Sequence, residues 1–275
     1  MSNIKLRNII LPILLEKLVL GTDKVIPLDA IDPELAKAVI GGGFQDGMIT
    51  DDQIEAQKIS VSVKDLKPAQ QEVILEKALE MCLNNLITGQ PDLDDLGGII
   101  SDDDYIMDGH HRWSSSFLQN PENIIKVTKV EIPGPALVSA LNVITVGKLG
   151  VTKGNAGEGN VSEFTGENIR KVITKFIKNG TYQLSKEQVV EALRLMPNSN
   201  GDINTAIRLL SRHADMLPKD IMRGAPPRNQ MPVVDTKYVP LIRKMFASGA
   251  FDIKEPYSPK VKKNISNMGA LNATV

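Results

Sequence analysis

The chain has 275 residues, of which 42% are apolar and 24% charged, with a formal net charge of −1. These figures fit one large globular domain or two ordinary ones, and they exclude wholesale disorder, a collagen-like repeat and a disulfide scaffold. The single Cys82 cannot form an internal disulfide or a Cys-based zinc site, and it fits a reducing, cytoplasmic compartment.

Aromatic residues make up only 4%. The core must therefore be aliphatic and Met-rich, which leans towards helices and weakens any function built on stacked bases. Residues 4–20 are the most apolar stretch, but Pro12, Glu16 and Lys17 interrupt it. That length and those interruptions argue against a membrane span and a signal peptide, and favour a kinked, mostly buried helix.

Charge is divided unevenly. Residues 21–164 carry 11 Lys/Arg and 23 Asp/Glu, whereas residues 165–275 carry 18 and 9. The break near 164 marks a candidate boundary between an acidic centre and a basic C-terminal region. A basic region can bind nucleic acid, grip a nucleotide's phosphates, dock on its own acidic half or simply be a solvated helical surface.

In chain order, residues 26–57 read as short helices and loops, with helices near 33–40 and 51–57. In 58–68, Ile59, Val61 and Val63 alternate with polar residues and Pro68 ends the run, the pattern of a strand followed by a turn. Residues 70–87 read as an amphipathic helix with Leu75, Leu79, Cys82 and Leu86 on one face, which makes Cys82 a core residue. After a loop at 88–98, Ile99 and Ile100 face Tyr105, Ile106 and Met107 across an acidic turn, which predicts a hairpin. A short helix near 114–119 and a strand over 124–133 follow. Residues 136–146 fit a helix or a strand equally well.

Residues 147–160 form a Gly-rich loop with no phosphate-binding glycine signature, read as a flexible loop or a phosphate lid. The remainder is mainly helical. Thr165 caps a helix with Ile169, Val172, Ile173, Phe176 and Ile177 inward. Ser185 and Gln188 form a capping box, and Asp202 caps a further helix. Residues 225–233 are a proline-rich extended loop in which Arg223 and Arg228 flank Pro226 and Pro227, read as a connector between helices, a stiff strip reaching over a nucleotide or a partner's docking strip. A last helix spans 236–248, and the tail after Pro256 is loosely held. Asp102, Asp103 and Asp104 lack calcium-loop spacing, and His213 reads as a half-buried helix residue.

The segment DGHHRW at 108–113 carries the most chemistry. It stands where an apolar strand gives way to a helix, and two of the chain's three histidines sit in it side by side. Gly109 permits a tight turn. A helix start favours an anion. His110, His111 and Arg112 add donors suited to phosphoryl oxygens, while Asp108 can hold a metal or orient a histidine.

The order strand, KP-x-x-x-E, helix, strand, DGHHR, helix, strand over 58–133 resembles the ParB/sulfiredoxin superfamily. The free serine kinases and stand-alone phage ParB-like proteins are the most similar members in wording. The resemblance implies an α+β fold. A small mixed-sheet nucleotide-binding core at 58–146 would follow an N-terminal helical extension (1–57). A Gly-rich linker (147–164) would then lead to a basic, mostly helical region (165–275).

The resemblance also implies a function: an ATP- or ADP-dependent phosphotransferase or phosphohydrolase, of phage origin by its similarity to the phage proteins, that acts with Mg²⁺ on a small hydroxyl compound or a nucleotide. Gly109, His110, His111 and Arg112 would bind phosphates. Glu72 would act as general base, with Asp108 and His111 completing the catalytic set and Asp108 holding the metal. His110 replaces the cysteine of sulfiredoxin, which argues against sulfinic-acid reduction. The single motif arginine argues against a nucleotide-driven DNA clamp. The alternatives are a non-catalytic protein that binds nucleic acid or a partner, and a virion-associated protein with an idle motif. No membrane association is expected.

Overall fold

A computed structural model describes residues 25–40, 54–89, 98–234 and 236–247. The helix expected within 4–20, most of the 88–98 loop and the tail after Pro256 lie outside the described residues.

Two periodicities build the fold. Helix α1 (Pro33–Ile40) precedes strand β1 (Ala56–Ser62), a short strand β2 (Lys67–Pro68) and helix α2 (Leu75–Thr88). Strands β3 (Gly98–Ile100) and β4 (Tyr105–Asp108) follow, then helix α3 (His110–Gln119), strand β5 (Ile124–Val130) and helix α4 (Gly134–Gly147). The basic region holds α5 (Gly166–Asn179), α6 (Lys186–Arg194), α7 (Ile203–Met216) and α8 (Val239–Ala247). The class is α+β, with a mixed sheet in the order β1-β5-β3-β4-β2. β3 and β4 form the expected antiparallel hairpin, whereas β2 runs parallel to β4 and β3 parallel to β5.

Alternate residues of the strands feed two cores, as the two-residue period of a strand requires. Ile100, Ile106, Ile125 and Val127 face one side, where α2 and α3 pack. Ile99, Met107 and Val130 face the other, against Leu137, Leu141 and Ile144 of α4 and Ile242 and Phe246 of α8. The first core is continuous with the basic helices. Ile173 of α5, Leu193 of α6 and Leu210 of α7 belong to the same buried cluster as Trp113 and Leu79. The sheet and the C-terminal helices thus share apolar surface across the charge boundary near residue 164.

Several local expectations hold. Thr165 and Asp202 accept N-cap bonds, and Ser185 with Gln188 closes a capping box. Cys82 is fully buried, which pushes its thiol up to about 12 and removes it from nucleophilic chemistry.

Others need correction. Of the helix expected near 51–57, residues 51–53 lie outside the described residues, and from Ala56 the chain is β1, because Ala56 pairs with Val130 in a seven-residue antiparallel ladder. The strand expected over 124–133 stops at Val130. The undecided 136–146 segment is a helix buried on nearly every side, which explains its lack of a polar stripe. The last helix begins at Val239, after a 3₁₀ turn at Thr236–Tyr238. The helix expected from residue 70 begins at Leu75, and the N–H groups of Ala69 and Ile74 that bracket the preceding segment are bonded to side chains elsewhere.

The lone Trp113 is a joint between sheet, helix and loop. It is fully buried, meets Phe117 edge-on at 6.3 Å, and donates its indole N–H to the Val63 carbonyl at 2.8 Å. Trp113→Phe keeps an aromatic ring but leaves that carbonyl unpaired and part of the site unfilled. We expect a loss of about 2–4 kcal/mol, measured as a fall in the urea midpoint followed by circular dichroism.

Candidate functional site at the start of helix α3

β2 and β4 are parallel neighbours, with Pro68 opposite Ile106. Their chains therefore leave the sheet side by side at the same edge. One continues into 69–74 and the start of α2, the other into Gly109 and the start of α3. The crevice beyond the carboxyl ends of parallel strands is where open sheets hold ligands.

Gly109 makes the turn. Its φ is +94°, a left-handed value that favours glycine, and Arg112 lies directly over it, with Nη2 3.5 Å from where a Cβ would stand. One helical turn places Arg112 above Asp108, and the two pair at 3.2 Å with side chains about a fifth exposed. Neither α2 nor α3 has a capping side chain at its first residue.

The two imidazoles join these elements. His110, only 5% exposed, accepts the Ala69 N–H at Nε2 over 3.2 Å, and His111 accepts the Ile74 N–H at Nε2 over 3.0 Å. A backbone N–H can only donate, so both rings hold their proton on Nδ1 and are neutral. Burial drives this, and nearby cations reinforce it. Burial, then Arg228 and His111, push the His110 pKa down to about 3. Burial, then Lys77 and Arg228, push that of His111 down to about 4. The expected role as phosphate donors is therefore narrowed. Nε2 of each ring is committed to the 69–74 segment, and only Nδ1–H remains to donate.

That segment carries Glu72. Its backbone is fixed further by the Val161 N–H on the Gln71 carbonyl and by the Gln70 side chain on the Glu72 carbonyl. The Glu72 carboxylate reaches a distant partner, since Oε1 accepts the backbone N–H of Arg228 at 3.2 Å. Its Oε2 is buried with no hydrogen-bond partner among the described residues.

Two segments read as loops close the site. In the Gly-rich loop, a Cβ on Gly157 would lie 2.5 Å from Glu72 Cγ and 2.7 Å from Arg228 Cβ, so glycine is required by close approach. Gly159 has φ +73° and rests on the backbone of Val73 and Ile74. The loop is thus packed against the site. From the proline-rich strip, Arg228 comes close enough to lower the pKa of both imidazoles, and Asp108 and Glu72 counter the effect of its own burial.

The structure therefore brings together Glu72, Asp108, Gly109, His110, His111 and Arg112. It adds Arg228 and Lys77, which the motif does not contain. The only signal for Arg228 was an arginine beside two prolines. His213 lies elsewhere, bonded through Nδ1 to the Leu118 carbonyl at 2.7 Å. Among the described residues no helix is long and apolar enough to cross a membrane. Comparison with protein-family models, curated proteins and solved structures found no match.

The two rings make stability pH-dependent. Each has a folded pKa below its ordinary value, so the unfolded chain binds more protons as pH falls below about 6.5. Stability should be level above that pH and fall as the pH drops towards 4, with each ring contributing up to about 1.4 kcal/mol per pH unit. Urea midpoints between pH 8 and 5 test this. A flat profile would show that the rings do not serve as buried acceptors.

Proposed function

We propose that the chain is a nucleotide-dependent phosphotransferase of the ParB/sulfiredoxin class, using ATP or ADP and acting on a small hydroxyl compound or a nucleotide in the cytoplasm. The observation that carries this reading is the convergence of two uncapped helix starts, two guanidinium groups and a buried, half-bonded carboxylate at one sheet edge.

Phosphoryl transfer needs positioning and charge neutralisation more than covalent help from the protein. The N–H groups at the start of α3 and the Arg112 guanidinium suit the phosphate chain. The imidazoles hold the 69–74 segment in register with that helix start, and their Nδ1–H groups are further donors. Glu72 is the proton acceptor. Its Oε1 is fixed by the Arg228 N–H, and Oε2 is left to take the proton of an acceptor hydroxyl. As that hydroxyl oxygen bonds to the terminal phosphorus, the bond from phosphorus to the bridging oxygen breaks. The leaving nucleotide keeps the electron pair, and the proton passes to Glu72.

No group of three or more His, Cys, Asp or Glu side chains suited to a metal occurs among the described residues. Asp108 offers one carboxylate, shared with Arg112. Asp108 is the residue that would hold a Mg²⁺ ion carried in on the phosphates. Such an ion supplies neutralisation of phosphate charge.

The test is incubation of the purified chain with terminally labelled ATP and ADP and a panel of small hydroxyl compounds. Label should move to an acceptor. Glu72→Gln should slow transfer by at least about 100-fold while leaving nucleotide affinity within a few-fold. Arg112→Ala should weaken affinity itself. Absence of any nucleotide binding by the unaltered chain would overturn the reading.

A further inference from the structure

The strip at 223–232 is held at several points along its length. Met222 donates its N–H to the Pro68 carbonyl at the end of β2, and Met222 and Met231 are both buried. Asn142 of α4 donates to the Gln230 carbonyl at 3.0 Å, and the Gln230 side chain makes two bonds to Asp29. Gly154 of the Gly-rich loop donates to the Asn229 carbonyl. Pro226 and Pro227 stiffen the approach to Arg228. The strip is therefore a fixed strap.

The strap holds a cation whose charge is not spent. The Arg228 guanidinium makes one hydrogen bond, from Nη1 to the Pro232 carbonyl, and its backbone N–H binds Glu72. Asp108 and Glu72 both act on its charge, yet no ion pair among the described residues includes it. Arg112, by contrast, has its carboxylate in contact. A half-buried guanidinium without a contacting counter-ion is better satisfied when an anion completes it. Its place is informative as well. Arg228 adjoins Glu72, the proton acceptor, whereas Arg112 lies over the helix start that suits the rest of the phosphate chain.

We propose that Arg228, held by the 223–232 strap, grips the terminal phosphoryl group of the bound nucleoside polyphosphate at the side where the acceptor hydroxyl arrives. This rests on the nucleotide reading given above and names the residue that reads the last phosphate. A planar guanidinium suits two oxygens of that group. The C-terminal region thereby supplies part of the site.

The experiment is a calorimetric ladder of AMP, ADP and ATP on the full chain, compared with Arg228→Gln and Arg228→Lys. The unaltered chain should gain affinity with each phosphate up to the one Arg228 holds. Arg228→Gln should lose at least ten-fold on that nucleotide alone and bind it no better than the nucleotide one phosphate shorter. Arg228→Lys should recover part of the increment. An equal loss on all three nucleotides, or no loss, would overturn the assignment while leaving the nucleotide reading intact. Binding of none of the three by the unaltered chain would overturn both. Should the glutamine variant fail to fold, amide exchange in the unaltered chain decides the matter. The amides of residues 228–231 should be protected by the longer nucleotide and not by the shorter, and equal protection by both would refute the proposal.

Discussion

Two imidazoles accepting two backbone N–H groups hold the site together. His110 and His111 are neighbours at the start of α3, yet they bind Ala69 and Ile74, five residues apart on a strand extension that leaves the sheet beside them. An extended stretch of that length would otherwise carry unpaired donors or wind into helix. The pairing pins 69–74 at both ends, ahead of the start of α2 at Leu75, and fixes the segment that carries Glu72 beside the start of α3. Protonation of either ring would remove the acceptor and bury a charge, so neutrality is a structural requirement.

Around this joint the fold is a sheet serving two cores. Strand alternation sends Ile100 and Ile106 to one side and Ile99 and Met107 to the other. The first side is completed by α5, α6 and α7, and the second by α4 and α8. Loops from both C-terminal segments then return to the same sheet edge. The Gly-rich loop after α4 lies on Glu72 and Ile74, and the strap after α7 lies between them and α4. A small mixed sheet with short strands needs such cover. Here the cover also brings Arg228 to the mouth of the motif.

What could be read from the chain itself was local. Thr165, Ser185 with Gln188, and Asp202 announce their helices because a cap bonds within three residues of itself. The 105–108 strand, Gly109 and the motif behind it are contiguous, and their juxtaposition in space follows from being contiguous. The misread features depend on distant partners. Residues 70–74 look helical, but His110 and His111, some forty positions on, take the N–H groups of Ala69 and Ile74 at either end. The all-round burial of α4 removes the periodicity that would identify it. Gly154, Gly157 and Gly159 suggested flexibility, but each is small because another backbone or side chain presses on it. Arg228 binds Glu72 across 156 positions, a contact that no local pattern encodes.

The division of labour among the cations follows from the same constraint. Charged histidines beside Arg112, Arg228 and Lys77 would crowd five positive groups around two carboxylates. The pKa values of the rings, pushed down by burial and by those cations, prevent this near neutral pH. Positive charge at the site therefore comes from the two guanidinium groups and the Lys77 ammonium, and the imidazoles contribute geometry. Of the two guanidinium groups, Arg112 is already matched by Asp108, four residues before it on the same turn. An incoming anion would have to share or displace that carboxylate to reach Arg112, whereas at Arg228 it would meet a charge that no carboxylate contacts. Arg228 is thus the guanidinium of the site with no carboxylate in salt-bridge contact among the described residues, and it stands beside Glu72.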